Sequence, residues 1–397
     1  MLLGIVGKPS SGKSTFFAAA TLIDVARASY PFTTIEPNKG MGFIRVECAD
    51  KDFGVQCNPR SGYCINHQRF VPVEMIDVAG LVPGAHEGKG LGNKFLDDLR
   101  QADVLIHVVD ISGSTNEKGE AVAMGSHDPI QDVKFLEEEL DLWMLGILQN
   151  NWNKFVRAPI TGKQQLIDSL AQNLSGLGVR PEQLDKALMR TKLMEKKLVD
   201  WTPEEQRTFI TELRKHSKPI VIAANKMDLP PSAENLKRVR EAFPHLSVFA
   251  CSGEAELTLK KAAKAGIIDY TPGDATFTLK KELSEPQKQG LEYIRKHVME
   301  KLGGTGVQET LDQTVLHALG YKAIFPGGTK GLTDSQGRTL PDCFLMPNAA
   351  TTLDFAFKLH TDFGKNFIKA IDVKTKMLLG KDHVLKHRDV IEIVANK

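Results

Sequence analysis

The feature that most narrows what this chain can fold into is Gly7-x-x-x-x-Gly12-Lys13-Ser14. It sits between a short apolar run, Leu2-Leu3-Gly4-Ile5-Val6, and a segment of helical pattern from about Lys13 to Ala28. A glycine-rich turn that leaves a buried strand and opens a helix is a phosphate cradle. Successive backbone N–H groups and the helix N-terminus face the anion, and glycine permits close backbone approach. Gly7, Ser11, Gly12, Lys13, Ser14 and Thr15 are the candidate phosphate-binding residues. Lys13 is placed to neutralise charge between the β- and γ-phosphates, and Ser14 to offer an oxygen to Mg²⁺.

A cradle alone chooses neither base nor reaction. Asp77-Val78-Ala79-Gly80 ends a second apolar stretch, residues 70–76. There Asp77 suits a carboxylate that holds Mg²⁺, and Gly80 can offer its N–H to a γ-phosphate and lose it after hydrolysis, an order–disorder switch. Either Thr33 or Thr34, in the Pro- and Gly-rich loop of residues 29–42, is expected to complete the Mg²⁺ shell, Thr34 before Thr33.

The base is read from Asn225-Lys226-Met227-Asp228, after the apolar strand Ile220–Ala224. A carboxylate at Asp228 accepts from guanine N1–H and the exocyclic amine; adenine would leave it unpaired, and unpaired buried polar groups discriminate strongly. Asn225 can reach N7 and tie its loop to the phosphate loop, and the Lys226 stem can cover the base. Ser252-Gly253, at the next strand end, can place a backbone N–H on O6.

The chain has 397 residues, too many for one ordinary domain. Val104–Val109 and Pro219–Ala224 read as buried strands of a parallel sheet, yet residues 111–218 separate them, where a crossover needs about a dozen. The excess is helical in pattern: Ile130–Gln149, Gln164–Gly176, Pro181–Leu198 and Pro203–His216. Its Trp143, Trp152 and Trp201 read as that insertion's own core. Residues 254–320 read as mostly helical, and short strands and turns follow from Ala323. The expected fold is α/β: a P-loop G domain with a mostly parallel sheet (1–129 and 216–320), an inserted helical domain (130–215) and a small α+β domain (321–397).

With 42% hydrophobic and 25% charged residues the composition is that of a soluble globular protein, and a net charge of +2 neither demands nor excludes nucleic acid. Five cysteines, an odd number, make no disulfide framework and fit a reducing, cytoplasmic compartment. No apolar run reaches the length of a membrane span, so no membrane partner is expected.

Assembled, these motifs resemble the Obg/YchF-type, translation-factor-class GTPases, closest to the archaeal and eukaryotic YchF-like branch. The resemblance rests on the phosphate loop, on Pro31-Phe32-Thr33-Thr34-Ile35-Glu36-Pro37-Asn38 and on the glycine-rich string from Asp77 to Asn93. The last 75 or so residues resemble a TGS domain, of ubiquitin-like β-grasp fold, through Pro341-Asp342 and Ala349–Ala356. It implies GTP and GDP as ligands, Mg²⁺ as cofactor, and a ribosome or RNA partner reached through the TGS domain and the helical insertion. Many YchF-type proteins carry Glu at the place of Asp228 and prefer ATP; Asp228 argues for GTP here. Ser10 stands where the family usually has an Asn associated with potassium-assisted hydrolysis.

Small GTPases place Gln after the Asp-x-x-Gly motif to orient the attacking water; here the residue is Leu81. The expected reaction is therefore slow intrinsic hydrolysis through Lys13 and Gly80, with His86 a candidate to orient water. The competing readings are an ATP-preferring YchF-like ATPase and a nucleotide-sensing module with negligible hydrolysis. The glycines at 80, 84, 88, 90 and 92 would let this segment change backbone between nucleotide states.

Two weaker signals remain. Cys57, Cys64 and His67 form Cys-x6-Cys-x2-His, with Cys48 as a possible fourth ligand. Zinc spacings are usually tighter, so buried or loop thiols are the reading taken from spacing. Residues 321–397 carry a basic excess, concentrated between Lys358 and Arg388. From charge alone it reads equally as a solvated face or an RNA footprint; the TGS resemblance favours RNA.

Overall fold

The computed structural model describes residues 1–22, 38–78, 98–150, 152–156, 160 and 162–396. Thr33, Thr34, Gly80, Leu81 and His86 lie outside them. The chain divides into two compact units, one of Met1–Phe17 with Glu74–Glu254 and one of Ala18–Val73 with Ala255–Lys397. It opens with β1 (Leu2–Val6) and α1 (Lys13–Thr21), then runs through β2 (Lys39–Glu47), β3 (Tyr63–Ile65) and β4 (Gln68–Asp77).

The first unit continues with β5 (Val104–Asp110), α2 (Pro129–Asn150), α3 (Lys163–Asn173), α4 (Pro181–Thr191), α5 (Pro203–Ser217), β6 (Ile220–Asn225), α6 (Ser232–Ala242) and β7 (Ser247–Ala250). The strands lie in the order β4-β1-β5-β6-β7, all parallel. β5 and β6 are buried along their whole length, which is why both read as continuous apolar runs. Register brings Ile5 beside Asp77, and Asp110 beside Asn225. The carboxyl ends of β4, β1, β5 and β6 therefore line one edge, where α/β sheets bind ligands.

Sequence patterning set α2 to α5 closely, though the helix read as Gln164–Gly176 ends at Asn173, ahead of a 3-10 turn at Ser175–Leu177. The helix read as Pro181–Leu198 stops at Thr191, because Lys192 takes a left-handed φ of 58° and its N–H closes back on Leu188 and Met189. Thr202 caps α5 reciprocally with Glu205. Trp143 and Trp201 are buried, and Trp201 stacks edge-on against Phe209 with centroids 5.1 Å apart. This core is not separate, however: Leu136, Leu140, Trp143, Ile210 and Leu213 are continuous with Val6, Leu105, Val109 and Ile222 of the sheet. Arg214, 3% exposed, joins α5 to α2 through Asp141 and Glu137 at 2.5 and 3.0 Å.

In the second unit β3 and β4 form a hairpin whose two-residue turn, Asn66-His67, has both φ values positive (49° and 60°), matching the strand twist. α7 (Gly253–Lys264) leads to β8 (Ile268–Asp269) and β9 (Thr278–Leu279), then to α8 (Glu285–Ile294) and α9 (Val307–Gln313). The β8–β9 hairpin interrupts this stretch, which reads as mostly helical; its Ile268, Tyr270 and Phe277 face the same core as Leu291 and Ile294. The C-terminal part holds β10 (Tyr321–Pro326), β11 (Phe344–Pro347), α10 (Thr352–Leu359), β12 (Phe367–Asp372), β13 (Leu378–Leu379) and β14 (Val390–Ala395). Its sheet order is β11-β10-β14-β12-β13 with β10 and β14 parallel, a β-grasp arrangement, and Phe355 of α10 packs with Ile324, Ala370 and Ile391. Among the described residues no helix is long and apolar enough to cross a membrane.

Candidate nucleotide-binding site

The loop between β1 and α1 turns through backbone that glycine favours. Gly12 has φ +89°, and a Cβ there would lie 2.2 Å from Asn225 Nδ2. Ser10 adopts φ 61° without being glycine, a strained conformation of the kind that persists where the surroundings hold it. Lys8 anchors the loop from below: 5% exposed, it donates to the Thr115 carbonyl (2.7 Å) and pairs with Asp132 of α2 (2.8 Å), which His127 also contacts. His107 of β5, fully buried near Lys8, has its pKa pushed down to about 3, by burial first and the ammonium second, and so stays neutral.

At the mouth of the loop Lys13 pairs with Asp77, and the Ser14 hydroxyl donates to the other carboxylate oxygen at 3.2 Å. The first turn of α1 and the end of β4 thus present an ammonium, a hydroxyl and a carboxylate together. Hydroxyl and carboxylate are hard oxygen donors of the kind Mg²⁺ takes.

The end of β6 organises three loops. Asn225, 3% exposed, donates from Nδ2 to the Ser11 carbonyl (3.0 Å) and accepts the Gly253 N–H on Oδ1 (2.9 Å). One side chain therefore ties the phosphate loop, its own loop and the loop after β7. The Gly253 N–H is taken by Asn225 rather than left for a base oxygen. Asp228 accepts the Ser252 hydroxyl at 2.8 Å. Lys226, with φ 66°, reaches Asp110 Oδ2 at 2.9 Å and Ser114 Oγ at 3.3 Å.

Asp110 is a residue that motif reading passed over. It is wholly buried and accepts from the Ser112, Ser114 and Thr115 hydroxyls as well as Lys226. Burial alone would raise its pKa; the hydrogen bonds from Ser112, Lys226 and Thr115 outweigh that and hold the carboxylate below its ordinary range. The available signal was an acidic residue ending an apolar strand and followed by Ile-Ser-Gly-Ser-Thr.

Residues 223–327 match the family described as Obg-like GTPase YGR210-like, G4 motif-containing domain, and residues 2–137 match the 50S ribosome-binding GTPase family. Residues 336–395 match the TGS domain. The chain is 44% identical to the GTP-binding protein MJ1332 of Methanocaldococcus jannaschii over 395 residues, 99% of each chain. It belongs to the YGR210-like, Obg-like GTPases. The chain is also 38% identical to the GTP-binding protein C428.15 of Schizosaccharomyces pombe, over 82% of this chain and 81% of that one. The solved GTP-binding protein of Pyrococcus horikoshii aligns over 100% of both chains, with a TM-score of 0.79 and 36% identity. The Bacillus subtilis protein named ribosome-binding ATPase YchF is more distant, at 29% identity over 99% of this chain and 98% of its own. As an Obg-like GTPase the chain is a GTP-binding protein of the P-loop class with a C-terminal TGS domain.

Proposed function

We propose that this protein hydrolyses GTP to GDP and phosphate slowly and uses the exchange as a switch for binding ribosomes or RNA. The observation that carries the reading is the pairing of two clusters along one sheet edge: Lys13, Ser14 and Asp77 for the phosphates, Asn225 and Asp228 for the base. Gly7, Ser11, Gly12 and Thr15 line the phosphates, and Ser252 orients Asp228 for guanine. Ser14 and Asp77, with Thr34 from the sequence, would hold Mg²⁺, which when bound screens the charge between the β- and γ-phosphates. Lys13 leaves its pairing with Asp77 to reach the phosphate oxygens. Asn225 keeps the base loop and the phosphate loop in register while the nucleotide is held. Gly80 senses the γ-phosphate, and His86 is the candidate for orienting water where Leu81 replaces the usual Gln.

In this reading residues 1–129 and 216–320 handle the nucleotide, and 130–215 with 321–397 meet the partner. Two distant supports exist for a ribosomal partner: the name of the family matched by residues 2–137, and the name of the YchF relatives. Those relatives are also named ATPases, which motivates the alternative of an ATP-preferring enzyme; Asp228 argues against it.

Three measurements test the proposal. Competition of labelled GTP by GTP, GDP and ATP should show the guanine nucleotides winning by at least about 10²-fold; equal competition by ATP sinks the base assignment. Single-turnover phosphate release separates hydrolysis from mere nucleotide sensing. Co-sedimentation with ribosomes should differ between GTP- and GDP-loaded protein, and equal pelleting removes the switch.

A further inference from the structure

Outside the nucleotide site, the second unit gathers its sulfur and carboxylate groups at one place. Cys48 follows β2, Asp50 lies in the short 3-10 turn Ala49–Phe53, Cys57 follows that turn and Cys64 is in β3. The sequence spacing, eight residues and then six between cysteines, hides this; the β3–β4 hairpin folds the segments together. One ligand atom from each of the four residues lies within 4.8 Å of every other, and Cys48, Asp50 and Cys57 are buried. Cys48 and Cys57 sulfurs are 3.5 Å apart, and Cys64 Sγ is 3.8 Å from Asp50 Oδ2. Four thiolate or oxygen donors around a tetrahedral zinc, with Zn–S near 2.3 Å, stand about 3.8 Å apart.

From these distances we propose that Cys48, Cys57, Cys64 and Asp50 bind a structural zinc ion.

Packing of inert thiols does not account for the carboxylate. Asp50 is 0% exposed and stands among the three sulfurs, where a divalent ion would compensate a buried carboxylate. Its surroundings are those of a ligand held by outer groups: it accepts the Cys57 N–H at 2.9 Å, and His67 Nδ1 lies 2.9 Å from its other oxygen. His67, which the sequence pattern offered as a ligand, thus orients Asp50 instead. Three thiolates and a carboxylate leave a negative excess around a divalent ion. Arg69, 1% exposed with Nη1 3.6 Å from Cys57 Sγ, offsets it. Sulfur-rich tetrahedral sites select zinc over Mg²⁺ or Ca²⁺, and four protein ligands leave no open position, which makes the site structural. Arg69 also donates to the Leu340 and Pro341 carbonyls at 3.0 and 2.7 Å, and the Asn58 N–H donates to Thr339 O. The ion would brace the loop against which the segment entering the TGS domain is fastened.

The test uses the full chain, grown with added zinc and purified without chelator. Elemental analysis should find about one zinc per chain. Replacing zinc by Co²⁺ should give thiolate-to-cobalt charge transfer and the intense visible bands of a tetrahedral ion, a readout that needs no variant. Cys57→Ser and Cys64→Ser should each lower zinc content at least about tenfold, and Asp50→Asn should alter the cobalt spectrum. Chelation should lower the melting temperature of the wild type, with recovery on adding Zn²⁺ but not Mg²⁺. Metal-free protein with no cobalt charge transfer overturns the proposal, as do another metal in place of zinc, a Cys48–Cys57 disulfide in unreduced protein, or zinc retained in the cysteine variants.

Discussion

Lys226 of the loop after β6 donates to Asp110 at 2.9 Å, joining the carboxyl ends of two neighbouring parallel strands. The carboxylate is wholly buried and gathers three hydroxyls besides, so the ion pair is the hub of the loop at residues 110–115. Removing one partner of such a pair leaves an uncompensated charge. Lys226→Met strands the buried carboxylate and should destabilise the protein by about 3–5 kcal/mol, read from the urea midpoint, whereas Asp110→Ala should cost less because the Lys226 ammonium it strands is 23% exposed. A Lys226→Met midpoint equal to wild type rejects the hub.

Asn225 holds two loops with two buried hydrogen bonds. Each is worth about 1 kcal/mol, so Asn225→Ala should weaken GDP binding roughly 10- to 100-fold, measured by calorimetric titration. Unchanged affinity would mean that the loops hold their places without it.

Gly12 and Asn225 form a close approach that a methyl group cannot enter: the Cβ would sit 2.2 Å from Nδ2, on backbone at φ +89°. Gly12→Ala should lose about 1–3 kcal/mol of stability and most nucleotide affinity. If the clash matters, adding Asn225→Ala should restore part of the stability, giving a double-mutant coupling of at least about 0.5 kcal/mol. Strict additivity leaves only the backbone strain.

Asp228 is the group that should choose the base. Asp228→Asn replaces an acceptor by an amide that can donate to a C2 carbonyl, so it should lose GTP affinity by about 10²-fold or more and gain affinity for xanthosine triphosphate. Competition binding decides, and unaltered preference for GTP would reassign guanine recognition.

Asp312 of α9 accepts from the Arg45 N–H and Gln308 on one oxygen, both at 2.7–2.8 Å. Burial nevertheless dominates those hydrogen bonds and raises its pKa to about 8. A carboxyl raised in the folded state keeps its proton while the unfolded chain loses it. Its stabilisation is full below the unfolded pKa near 4 and is lost as pH rises to about 8, at roughly 1 kcal/mol per pH unit. Urea unfolding of Asp312→Asn should show a flatter profile than wild type between pH 5 and pH 8. Identical slopes would place the proton elsewhere.

Much of the candidate site was legible because its expected chemistry is local. A phosphate cradle needs glycine at fixed offsets from a strand end, and a base-reading carboxylate needs its place after a buried strand, so Gly12, Lys13, Asp77, Asn225 and Asp228 could be named from spacing. Asp110 and Lys8 could not, since each acts through partners from other segments: Lys226 for one, Asp132 and Thr115 for the other. Likewise the insertion's helices follow from their period, but the continuity of their core with Leu105 and Ile222 does not.

The sequence by itself determined the nucleotide class, the strand–turn–helix at the cradle, and the presence of a helical insertion and a terminal β-grasp element. The first three follow from periodicity and from residue types at short separations, the β-grasp element from the resemblance of Pro341-Asp342 and Ala349–Ala356 to a TGS domain. Only the tertiary structure decided which side chains join the loops, and that Cys48, Asp50, Cys57 and Cys64 share one point. The physical reason is that a hydrogen bond or a ligand set depends on distance in space, and chain spacing reports that distance only within a turn, a helix or a hairpin.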